Sequence, residues 1–165
     1  MKKKSSTKEN TKGKGRKEMN PAMIKAAMEM IKSVSDLSKT AIDASDPEKY
    51  ARGVNELNKG VSETYTEMRN IIVNDEKLST DEKLERLKEL ADGEAKAKAK
   101  CDEAIKGNRE HISKIILEVF AGLLTCGISF APTIVNKFKQ SIEKGTELPI
   151  LECSVNNEII DSNLG

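Results

Sequence analysis

Apolar residues recur along most of this chain at steps of three and four, the spacing that places them on one side of an α-helix. Asn20 is a good N-cap and Pro21 is pre-set for the first helical position. Beyond them Ile24, Ala27, Met28, Ile31, Val34, Leu37, Ala41 and Ile42 predict a first helix over residues 21–44. Ser45-Asp46-Pro47 repeats the start signal. Tyr50, Val54, Leu57, Val61, Thr64, Met68 and Ile71 then alternate steps of four and three, predicting a second helix over 47–73. This is the two-in-seven seam of a coiled coil, which an ordinary helical bundle also satisfies. Gly53 and Gly60, seven apart beside the seam, suit a close helix–helix approach.

Ser79 followed by Glu82 forms a capping box for a third helix. Its seam reads Leu84, Leu87, Ala91, Glu94, Lys98, Cys101, Ile105, Asn108, Ile112, Ile115 and Val119, interrupted by three polar residues. Residues 94–100, alternating Ala and Lys after Glu94, are strongly helix-forming but offer little to bury. Gly93 and Gly107 are possible breaks, because an interior glycine costs about 1 kcal/mol relative to alanine. The register survives both, and a continuous helix over 80–131 is expected. A short amphipathic helix over 133–144, with Ile134, Phe138 and Ile142, should follow.

Residues 115–135 stand apart from this polar background. They carry one charge, Glu118, and a mean hydropathy of roughly 1.7 over 19 residues, about where membrane spans begin. Such a helix is long enough to cross a hydrocarbon core of about 30 Å. The residues that would meet lipid or another helix are Ile115, Ile116, Val119, Phe120, Gly122, Leu123, Leu124, Cys126, Ile128 and Phe130. Ala121, Gly122, Thr125, Cys126 and Ser129 add a small-residue face for close packing. Glu118, Pro132 and the hydroxyls favour the other fate, burial as the central helix of a bundle.

Length separates the two fates. A helix over 80–131 would reach about 77 Å, against about 40 Å for one over 47–73. If the third helix doubles back on the second, its apolar half projects with no partner from its own chain. Lipid, a second copy, or a fold-back at Gly107 must then cover it.

Composition supports this picture. The chain has 165 residues, 33% of them charged and only 3% aromatic, with no Trp and four Pro. That mixture favours long helices over a sheet sandwich. The expected fold is all-α: an elongated helical hairpin or coiled-coil bundle of three to four long helices. Residues 1–19 would form a disordered basic arm, 20–145 the helical domain containing the apolar segment 112–135, and 146–165 an irregular tail.

Charge changes the reading of the ends. The net +1 divides into +6 on the first twenty residues and −5 on the rest, from eight cations and two carboxylates in the arm. Lys2, Lys3, Lys4, Lys12, Lys14, Arg16 and Lys17 are therefore candidates for contact with an anionic surface, lipid or nucleic acid. The arm has no aromatic residue and no recognition helix, so sequence-specific readout is not expected. The basic start runs into polar residues instead of an apolar stretch, so no N-terminal signal peptide is expected. Cys101, Cys126 and Cys153 are widely spaced and read as free thiols of a reducing compartment, which places the N-terminus in the cytoplasm.

Candidate chemistry is sparse. His111 is the only histidine, which excludes a multi-His metal site within one chain, and Glu-x-x-His is absent. Gly13 and Gly15 lack the strand and helix start of a phosphate loop. No catalytic residue, cofactor, metal or small-molecule substrate is expected. The leading functional expectation is a non-enzymatic helical protein that associates with a membrane through 112–135 and self-assembles. The alternative is a four-helix interaction module with 109–131 as its buried central helix, binding itself or another helical protein. Nucleic-acid binding through the basic arm is a weaker third.

Overall fold

The computed structural model describes residues 21–128, five positions between 136 and 144, and the backbone of two short strands, 151–153 and 159–161. Four helices carry the fold: α1 (Pro21–Asp43), α2 (Pro47–Asn74), α3 (Thr80–Ile105) and α4 (Glu110–Thr125). Near the C-terminus, β1 (Leu151–Cys153) pairs antiparallel with β2 (Ile159–Asp161), with Leu151 opposite Asp161 and Cys153 opposite Ile159. The architecture is an all-α bundle of four helices. Of the expected elements, the arm 1–19, its Lys and Arg residues, Asn20 and Phe130 lie outside the described residues. So does most of the helix expected over 133–144, of which 136, 137, 139, 140 and 144 are helical.

Local signals set most boundaries. The Asp46 side chain accepts from the Lys49 amide at 2.8 Å, with Pro47 at the first helical position. Ser79 and Glu82 form both halves of the capping box. The α2 seam is buried at Tyr50, Val54, Leu57, Val61, Thr64 and Met68. Tyr65 and Ile72 are buried beside it, whereas Ile71 at the end of the expected seam is only partly covered. A 3.6-residue helix drifts off a strict 3.5-residue repeat, so the core stripe here has moved one position on by the fourth heptad. Gly53 and Gly60 allow the close approach of α1. A Cβ at Gly53 would stand 2.9 Å from the Ala41 Cα, and one at Gly60 would stand 2.5 Å from Leu37 Cδ1.

The third helix does not run on to residue 131. It ends at Ile105 in a Schellman motif, with Gly107 at φ +107°. The Gly107 amide donates to the Ala104 carbonyl at 2.9 Å and the Asn108 amide to the Glu103 carbonyl at 3.2 Å. The positive φ is what a glycine permits and most L-residues resist. At about 39 Å, α3 then nearly matches α2 at about 42 Å, and the chain turns back to lay α4 against α3. A second Schellman motif closes α4. Gly127, at φ +84°, donates to the Leu124 carbonyl, and Ile128 donates to that of Leu123. The helix thus stops at Thr125, ahead of Pro132.

The α3 seam needs a second correction. Of its two interleaved lines, Leu87, Glu94 and Cys101 face inward, Leu87 only partly. The other line points out: Leu84 is 54% exposed, Ile105 43%, and Ala91 is exposed between them. Leu90, Ala97 and Ala104 take the buried positions instead. Two of these are alanines, which carry little weight in a periodicity read from large apolar residues. They let α3 pack closely against its neighbours.

Candidate functional site

The apolar segment is the first sequence-level candidate. Within α4, Ile112, Ile115, Ile116, Val119, Phe120, Gly122 and Leu123 are buried against the other three helices. Cys126 and Ile128, just past the helix, are buried as well, while Leu124 is 51% exposed. Glu118, the lone charge, pairs with Lys100 of α3, both about three-quarters covered. At 16 residues, α4 spans about 24 Å, short of a hydrocarbon core of about 30 Å. Among the described residues, no helix is long and apolar enough to cross a membrane. The expectation of an unpartnered apolar half depended on a straight third helix. The turn at Gly107 removes that condition.

The polar interruptions of the α3 seam find partners. The Glu94 carboxylate is nearly buried and is held by Arg69 of α2 together with Lys98, the latter at 2.8 Å. Of the two pairs only Arg69–Glu94 crosses between helices, linking α2 to α3. At the turn end of the bundle, the Arg109 guanidinium lies 4.5 Å from the Tyr50 ring centre and donates to the Ile42 carbonyl at 3.0 Å. The Tyr50 hydroxyl donates to the Ala104 carbonyl at 2.5 Å, and burial raises its pKa. These groups tie the α1–α2 link to the α3–α4 turn.

A cleft of about 310 Å³ opens between α3 and α4, lined by Lys96, Ala99, Lys100, Glu103 and His111. Two of its charges are already engaged. Lys100 is paired with Glu118, and Glu103 accepts from Lys106 at 2.7 Å and from Asn108 at 3.3 Å. The hydrogen bond from Lys106 holds the Glu103 carboxyl below its ordinary pKa and raises that of Lys106. His111 Nε2 stands 3.7 Å from Glu110, too far for a hydrogen bond, and the buried Nδ1 has no hydrogen-bond partner among the described residues. Burial pushes the Cys101 thiol up to about 11 and the Cys126 thiol up to about 12, the opposite of an activated nucleophile. Among the described residues, no group of three or more His, Cys, Asp or Glu side chains could hold a metal ion.

Among the described residues the exposed large apolar side chains are Ile42, Val73, Leu84, Ile105 and Leu124, of which Leu84 and Ile105 stand at opposite ends of the outer face of α3. The signal for it is visible in the sequence, because Leu84, Ala91, Lys98 and Ile105 recur every seven residues. That regularity reads as core until Leu90, Ala97 and Ala104 are seen to occupy the core instead.

No protein-family model, curated protein or solved structure matches the chain.

Proposed function

We propose that this chain is a non-catalytic helical-bundle module that works by binding another helical protein, a second copy of itself included. The observation that carries the reading is the exchange of roles between two helices. The most apolar helix, α4, buries Ile112, Ile115, Ile116, Val119, Phe120 and Leu123 in the bundle and leaves Leu124 exposed, while the polar α3 keeps Leu84 and Ile105 exposed. An interaction protein needs a stable scaffold and an outward apolar anchor, and these two features supply them. The pairing of Lys100 with Glu118 and of Glu103 with Lys106, and the raised thiol pKa values, favour a binding role over a catalytic one.

Flotation with anionic liposomes tests the reading. The intact protein is expected to stay at the bottom of the gradient with its helicity unchanged. Flotation that survives removal of residues 1–19 would place lipid contact in the helical domain and overturn it. Flotation or nucleic-acid binding that vanishes with the arm, and weakens steeply with salt, would assign those contacts to Lys2, Lys3, Lys4, Lys12, Lys14, Arg16 and Lys17.

A further inference from the structure

The outward line on α3 belongs to a complete seam. Leu84, Lys88, Ala91, Ala95, Lys98, Asp102 and Ile105 advance by alternating steps of four and three. All are exposed except Lys98, whose side chain is still 45% exposed. Over 84–105 the line extends about 32 Å, a helix face with no partner among the described residues, beside a bundle already filled by the inward line.

The order of residues along this face is self-complementary in one direction only. A two-fold axis through Ala95 brings Ala95 onto its own copy and Lys88 opposite Asp102 of the second chain. It also brings Ala91 and Lys98, and Leu84 and Ile105, to within one residue of the same height. Apolar anchors meet at both ends, opposite charges meet in between, and alanines at the centre permit a close approach of the two helix axes. The Lys98 stem can lie over the facing alanine while its ammonium stays in water. A parallel arrangement would stack Lys88 on Lys88, Lys98 on Lys98 and Asp102 on Asp102, three like-charge layers. Antiparallel pairing also sets the two helix dipoles head to tail.

We infer that two copies of this chain associate through their α3 helices, antiparallel about an axis at Ala95, with Lys88–Asp102 pairs fixing the direction. The inference rests on the interaction-module reading and names its partner. A two-fold contact of this kind is isologous and closes at a dimer. One helix pair is a small interface, so the dimer forms and dissociates reversibly.

Sedimentation of the full chain over a wide concentration range is the test. The apparent mass is expected to rise from 18.2 kDa toward twice that value. Ala95→Arg, which sets two guanidinium groups on the axis, should hold the protein at monomer mass while its helicity and melting temperature stay unchanged. Lys88→Asp alone should weaken association about tenfold or more by placing two carboxylates together, and adding Asp102→Lys should restore it. In a Cys153→Ser background, Ala95→Cys should form a disulfide-linked dimer under mild oxidation. Monomer mass at every concentration, or a dimer indifferent to Ala95→Arg, overturns the pairing. A monomer that also stays out of liposomes leaves the module reading standing with a different partner. Flotation through the helical domain removes that reading whatever the dimer does.

Discussion

The Tyr65 hydroxyl of α2 donates to the Glu118 carbonyl of α4 at 3.0 Å, crossing the core between two helices 53 positions apart in the chain. The phenol lies fully buried beside Gly93 and Gly122, and burial, followed by the Glu118 charge, drives its pKa well above the ordinary value. Tyr65→Phe keeps the ring and leaves the carbonyl one donor short. Stability should fall by about 1 kcal/mol, read as a lower urea midpoint at unchanged slope. No loss on this substitution would show that the hydroxyl contributes nothing to holding α4.

Glycine-to-alanine changes at two helix crossings should differ according to what the new methyl meets. At Gly53 the neighbour is the Ala41 Cα at 2.9 Å, part of the backbone, which can yield only by moving α1. At Gly122 the nearest atom is Met68 Sδ at 2.7 Å, part of a flexible side chain. Alanine returns up to about 1 kcal/mol of helix propensity in both places. Overpacking of about 1–3 kcal/mol should outweigh that gain at Gly53 and roughly cancel it at Gly122. Urea denaturation of the two variants checks the order. Equal stabilities would mean that α1 slides freely on α2.

The thiols of Cys101 and Cys126 set an alkaline limit. Both are buried, and desolvation pushes them up to about 11 and about 12, well above the ordinary range of a cysteine thiol. A folded-state pKa above the unfolded value favours the protonated form in the fold. This contribution is therefore complete below about pH 9 and is lost as the pH rises toward 11–12. Unfolding free energies measured between pH 8 and pH 10.5 should decline, and less steeply in a Cys101→Ala, Cys126→Ala variant. In a Cys153→Ser background, thiol reagents at pH 8 should label the native protein only as fast as it opens.

Much of this fold is legible in the residues themselves. Asp46-Pro47, Ser79 with Glu82, and the Tyr50 to Met68 seam all lie where local chemistry puts them. What stayed hidden depends on comparison across the fold. Gly107 reads as a tolerable interior glycine because the heptad register continues past it; only the match in length between α2 and α3 makes a turn there profitable. The outward face of α3 is visible as a repeat, but the repeat alone reads as core. Alanine marks a closely packed interface as well as leucine does, but it leaves almost no imprint on an apolar pattern. The membrane expectation for 112–135 rests on hydropathy and span length, whereas α4 ends at Thr125 and, among the described residues, no helix is long and apolar enough to cross a membrane.

Gly107→Ala examines that turn directly. Nothing lies within 4 Å of the position a Cβ would take, so packing plays no part in the outcome. The backbone alone responds, because φ +107° is a conformation that L-residues rarely adopt. The strain should destabilise the bundle by about 1–3 kcal/mol. Relief is available only by unwinding the Schellman motif, which would break the Gly107–Ala104 and Asn108–Glu103 hydrogen bonds and pull Arg109 off Tyr50. The variant should therefore keep its folded dimensions in small-angle scattering while its urea midpoint drops. A protein that instead gained stability and lengthened toward about 77 Å would have fused α3 with α4 into one rod. That outcome would release the apolar face of α4 and return it to the search for a partner outside its own chain.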